Sequence, residues 1–175
     1  MSSNYNTSKA HTIAIAAMMT VLALIFSYIE AIIPFNFGIP GVKLGIANLV
    51  ILTSLYILGF RYTLTINVLR IMIAGLLFNG FFGAMYSLAG GILSLIVMFL
   101  LKKTGLFSTI GISMAGGVAH NLGQLLIAAL IISNIKMFYY FPVLLFSGML
   151  SGIFIGILTH MILKKLPAGI GIKPL

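Results

Sequence analysis

The sequence predicts an all-α integral membrane protein, a compact bundle of six transmembrane helices, and three observations carry that expectation. Of 175 residues, 61% are hydrophobic and only 6% charged, with a mean hydropathy of +1.22. So little polar surface cannot cover a water-facing exterior. The chain holds a single acidic residue, Glu30. Its apolar runs, such as Ile92 to Leu101 and Leu125 to Ile132, are unbroken, whereas a transmembrane β-strand alternates apolar and polar residues over about 10 positions. At roughly 20 apolar residues per helical span, the length holds about six spans, short loops and one domain, 1–175.

The elements follow from apolar runs set against loop signals. A polar segment, 1–10, precedes helix 1 at about 11–33. That run is too long for a signal-peptide core and lacks a small-x-small cleavage site, so it reads as an uncleaved first helix. Helix 2 is expected at about 44–60 and helix 3 at about 62–79. Asn79-Gly80 carries turn chemistry without charge, which makes 78–82 a tight hairpin into helix 4 at about 81–101. Helix 5 follows at about 107–132, helix 6 at about 139–163 and a tail at 165–175. The longest connection, 34–41, mixes Pro, Gly and Phe. It reads either as a lid over the outer mouth or as a segment lying at the headgroups.

Six spans put both termini on one side. Lys9, Arg61, Lys102, Lys103, Lys164, Lys165 and Lys173 then share it, against Lys43 and Lys136 opposite. The positive-inside rule makes that side cytoplasmic, and Tyr139, Tyr140 and Phe141 fit an outer aromatic belt. The expected location is the cell membrane. Net charge is +9, but the basic residues stand singly or in pairs at the ends of apolar runs, which argues topology and not nucleic acid.

Small residues mark close helix packing. Helix 6 carries Gly148, Gly152 and Gly156, helix 5 Ala115, Ala119 and Gly123, and helix 4 Ala84, Ser87, Gly91 and Ser94. On helix 1, Ala10, Ala14 and the neighbouring Ala17 form a strip near the cytoplasmic end that packs inside the bundle or docks another protein's helix.

Polar groups inside the bilayer are expensive and are site candidates by default. His120 and Gln124 lie one turn apart on helix 5 with Asn121 adjacent, among Gly116, Gly117 and Gly123 that leave room around them. They serve either as interhelical hydrogen bonds or as a ligand site in the outer half of the membrane. Arg70 is the one charge well inside a run. Glu30, its only acidic candidate, lies about 14 Å higher by helical rise, so a direct pair needs a displaced helix or long side-chain reaches. Otherwise Arg70 snorkels, bonds backbone carbonyls or faces an anionic ligand. Lys43, Asn48 and Asn79 cluster near the outer ends of helices 1 to 4. Lys43 is an interfacial anchor or a partner for a carboxylate or phosphate.

Much chemistry is excluded. One acid cannot supply paired-carboxylate hydrolysis or a magnesium-diphosphate site, and no Gly-Lys-Ser/Thr phosphate loop is present. Without Cys, and with three separated His, no metal set forms. The expectation is a non-enzyme without cofactor or metal.

The segments Lys43-Leu-Gly-Ile-Ala-Asn-Leu49, Leu88-Ala-Gly-Gly-Ile-Leu-Ser94 and Gly116-Gly-Val-Ala-His-Asn-Leu-Gly-Gln124 closely resemble the Gx transporter family, whose members are also labelled heptaprenyl diphosphate synthase component I. That family in turn resembles the substrate-binding S components of energy-coupling factor transporters, six-helix proteins that capture vitamins or precursors. The resemblance implies that Ala10 and Ala14, with Ala17 beside them, dock a coupling membrane protein served by cytoplasmic ATPases. It also implies that a small ligand binds beneath the first outer loop, using the 35–43 loop, Asn79, His120, Asn121 and Gln124.

The leading expectation is therefore a substrate-binding membrane subunit of an uptake transporter, with candidate binding residues Lys43, Asn48, Arg70, Asn79, His120, Asn121 and Gln124. A noncatalytic membrane accessory of polyprenyl diphosphate or quinone metabolism is the alternative, and a structural partner-binding protein the third. The ligand's identity is not written in the sequence.

Overall fold

The computed structural model describes residues 9–33 and 45–166. Within them the chain is helical and contains no strand. Six α-helices are present: α1 (Lys9–Ile32), α2 (Ile46–Ile57), α3 (Phe60–Ala74), α4 (Gly80–Thr104), α5 (Thr109–Ile132) and α6 (Phe141–Lys165). A π-helical turn, Gly75–Asn79, joins α3 to α4, and a 3₁₀ turn, Ile135–Tyr140, precedes α6.

Local chemistry sets the boundaries. Ser108 caps α5 by accepting from the Gly111 N–H at 3.2 Å, and Pro142 stands in the first turn of α6, where its missing N–H costs nothing. Between α3 and α4 the chain reverses at Gly80, whose φ of 69° with ψ of 173° lies in a region only glycine enters freely. The reversal is a true hairpin. The Phe60 and Phe99 rings stand 4.6 Å apart, and a Cβ on Gly75 would strike Ala84. The expected turn at Asn79-Gly80 is therefore present, and the 45-residue apolar run Phe60–Thr104 folds back on itself.

Among the described residues, four helical segments are long and apolar enough to cross a membrane: Lys9–Ile32, Phe60–Thr104, Thr109–Ile132 and Ile135–Lys165. Helix α2 departs from expectation. It has 12 residues instead of the expected 44–60, so it is about 18 Å long, short of the ~30 Å hydrocarbon core. Being apolar on every side suits a buried helix, and Ala47, Leu49–Leu55 and Ile57 are all buried. With Ile66, Leu95 and Ile112, this helix forms the apolar core. Its carboxyl end is held by Lys102, whose Nζ donates to the Leu55 carbonyl at 2.8 Å and lies 4.7 Å from the centre of the Tyr56 ring. A cation at that end also suits the helix dipole.

Helices α5 and α6 pack backbone to backbone. A Cβ on Gly117 would run into the Gly148 carbonyl, one on Gly152 would sit 2.6 Å from Met114 Cα, and one on Gly156 2.7 Å from Ile110 Cα. The expected glycine ladder of helix 6 is thus an interface within the chain. Against it, Phe146, Leu150 and Phe154 of α6 point outward at 55–70% exposure, on the face available to lipid.

Candidate functional site

Because α2 is short, its amino end starts within the bundle, and a Cβ on Gly45 would lie 3.7 Å from Ile155 Cδ1 in the middle of α6. A helix start leaves backbone N–H groups without intrahelical acceptors. Glu30 of α1 supplies them, its Oε1 accepting from Gly45 N at 2.5 Å and its Oε2 from Ala47 N at 3.4 Å. The one acid of the chain is thus a cap for α2, delivered from another helix.

Below and beside this cap lies a cavity of about 70 Å³. Its walls come from all six helices and the π-turn: Ser27, Glu30 and Ala31 of α1, Ala47 and Asn48 of α2, Arg70 of α3, Asn79, Ser87 of α4, His120, Asn121 and Gln124 of α5, and Ser151 of α6. It extends from the middle of α5 and α6 to the end where Asn79 closes the α3–α4 hairpin. At about 70 Å³ it is small beside the ~300 Å³ or more of a drug-sized ligand's pocket.

The structure brings every sequence-predicted binding residue except Lys43 to this one cavity. Lys43 and the 35–43 loop lie outside the described residues, as does Lys173. On α5, Gln124 Nε2 stands 3.0 Å from His120 Nε2, and the amide N–H donates when that ring nitrogen carries no proton. Glycines let α4 come close behind them. A Cβ on Gly90 would fall 3.1 Å from His120 Cε1 and 3.0 Å from Gln124 Cγ, and one on Gly123 2.8 Å from the Ala89 carbonyl. Asn121 is also interhelical glue, since its Nδ2 donates to the Leu144 carbonyl at 2.7 Å and to Ser147 Oγ at 3.3 Å.

Arg70 does not pair directly with Glu30. Its Nη1 donates to Ser27 Oγ at 3.2 Å and its Nη2 to Asn67 Oδ1 at 2.8 Å, both neutral acceptors. The long side chain reaches Ser27, one turn before Glu30, so both charges line one cavity without bonding each other. Sequence reasoning missed Ser27, Asn67, Ser87 and Ser151 here. The signal for Asn67 was its i, i+3 spacing to Arg70 on one helix face. Ser27 carried none, and Ser87 was legible only as one of helix 4's small packing residues.

Elsewhere, Ala10, Ala14 and Ala17 of α1 are exposed and continue into Ile13 at 59% and Met18 at 72% exposure. Among the described residues no group of three His, Cys, Asp or Glu is placed to hold a metal ion.

A family model described as heptaprenyl diphosphate synthase component I matches residues 19–162. No curated protein and no solved structure matches the chain.

Proposed function

The chain belongs to the heptaprenyl diphosphate synthase component I family, and from that premise we propose that it is a noncatalytic, substrate-binding subunit of an uptake transporter of the energy-coupling factor type, spanning the cell membrane with both termini cytoplasmic. The observation that carries the reading is the polar cavity inside an apolar bundle, lined by Arg70, Asn79, His120, Gln124 and Asn48. Intramembrane polar groups gathered around a void are the usual mark of a ligand pathway. The ligand is a small vitamin-like or precursor molecule. Hydrogen bonds from His120 and Gln124 orient it, and opening of the helices admits and releases it.

The exposed small-residue face of α1 supports docking of a coupling membrane protein, which would bring cytoplasmic ATPases. Small residues allow backbones to approach closely in lipid. Ala14→Trp is expected to abolish copurification of such a protein while leaving the isolated chain's stability within about 0.5 kcal/mol, as for other exposed substitutions. Unchanged copurification would place docking elsewhere.

The family's description favours a second reading, an accessory membrane subunit for polyprenyl diphosphate synthesis. The chain has one acid and no Asp, so by itself it lacks the carboxylates that hold magnesium against a diphosphate. Native mass spectrometry of gently purified protein separates the two. A small water-soluble molecule with coupling and ATPase subunits is expected. A polyprenyl species with a soluble synthase would replace the transporter reading with the second one.

A further inference from the structure

The reading of the cavity as a ligand site leaves the ligand's chemistry open, and the two charges on the cavity wall bear on it. Glu30 is committed. Its carboxylate binds two backbone N–H groups at the start of α2, where the helix dipole presents roughly half a positive charge. Arg70 makes no direct ion pair, and Glu30 acts on it only through space from the same cavity wall. Arg70 is 8% exposed, its two Nη atoms donate only to neutral oxygens, and its Nε has no hydrogen-bond partner among the described residues.

Neutral acceptors solvate a guanidinium but do not neutralise it, and a buried charge offset only at a distance is costly. Arg70 lines the cavity, and the planar fork of a guanidinium suits the oxygens of a carboxylate or phosphate. We infer that the ligand presents an oxyanion to Arg70 while the His120–Gln124 pair takes a neutral polar group of the same molecule. This rests on the cavity being a ligand site and adds the charge of what occupies it.

The test uses full-length protein in a phosphate-free maltoside micelle, with thermal unfolding as readout. The probes are water-soluble carboxylic acids paired with their primary amides, phosphate monoesters paired with their parent alcohols, and, in a separate arm, phosphatidylglycerol. An acid or a phosphate ester is expected to raise the unfolding midpoint by several degrees while its uncharged partner does not. Arg70→Gln and Arg70→Lys are expected to weaken that binding roughly 10- to 100-fold, the range for losing a hydrogen bond to a charged group.

Stabilisation by phosphatidylglycerol alone, lost in Arg70→Gln, keeps the oxyanion and assigns it to a lipid headgroup, which removes the water-soluble substrate. Equal stabilisation by the uncharged partners, or unchanged binding in both variants, overturns the oxyanion and leaves the cavity as a site. No stabilisation by any probe overturns both. The comparison of acid with amide on the unaltered chain stands even where a variant misfolds.

Discussion

Gly148→Leu is expected to unfold or aggregate the protein. A Cβ at this position would lie 2.8 Å from the Gly117 carbonyl oxygen and 2.9 Å from Asn121 Nδ2, so the obstacle is backbone on one side and a hydrogen-bonded amide on the other. Neither is the far end of a flexible chain that can swing aside. Overpacking of this kind costs about 1–3 kcal/mol or more. Displacing Asn121 from the Leu144 carbonyl removes an interhelical hydrogen bond worth about 1 kcal/mol in a membrane. The loss should show as a lowered unfolding midpoint and a falling monodisperse fraction in size-exclusion chromatography. Gly111→Ala is the control: its new Cβ would meet nothing closer than Ser108 Oγ at 3.6 Å, and wild-type behaviour is expected. Equal tolerance of both would mean that α5 and α6 are not in backbone contact.

Glu30→Ala is expected to have the second largest effect. The carboxylate serves the N–H groups of Gly45 and Ala47, and no side chain within α2 replaces it, since Gly45 offers none. Leaving partly buried donors unsatisfied costs about 1–3 kcal/mol, and removing an anion from a helix amino end adds up to ~1 kcal/mol. Glu30→Gln keeps one acceptor oxygen and is expected to retain more than half of the lost stability. Hydrogen exchange should localise the damage to the first turn of α2, and an Ala variant that exchanges there at the wild-type rate would contradict the cap.

The helices and the site were legible in the sequence to different degrees. Long unbroken runs gave α1, α4, α5 and α6, and Lys at the ends of α1, α4 and α6 added to the signal, because both apolarity and charge mark a membrane-length helix. The Asn79-Gly80 reversal was legible as turn chemistry. The shortness of α2 was not: its apolar residues continue past the helix into Leu58 and Phe60, and hydropathy does not distinguish a buried half-length helix from a spanning one. The role of Glu30 depended on that hidden fact, since a carboxylate near the end of helix 1 has no visible partner until α2 is seen to begin beside it.

Helical-rise arithmetic separated Arg70 from Glu30 unless a helix was displaced or the side chains reached far, and no direct pair forms; the reach of the guanidinium instead brings it to Ser27 on the same cavity wall. The polar trio on α5 was legible from its spacing alone. What spacing could not divide was its labour: all three line the cavity, but Asn121 also ties α5 to α6 through Leu144 and Ser147, whereas His120 and Gln124 hold each other.

The central claim is that this cavity holds the transported molecule, and the most direct measurement is native mass spectrometry of the protein purified from its own membrane, unaltered and with His120→Ala and Gln124→Ala combined. The unaltered chain is expected to carry a bound species of defined small mass. The double variant, equally folded, is expected to lose at least ~10-fold of it, as when two hydrogen bonds of about 1 kcal/mol each are removed. Full retention of that species by the double variant would contradict the site.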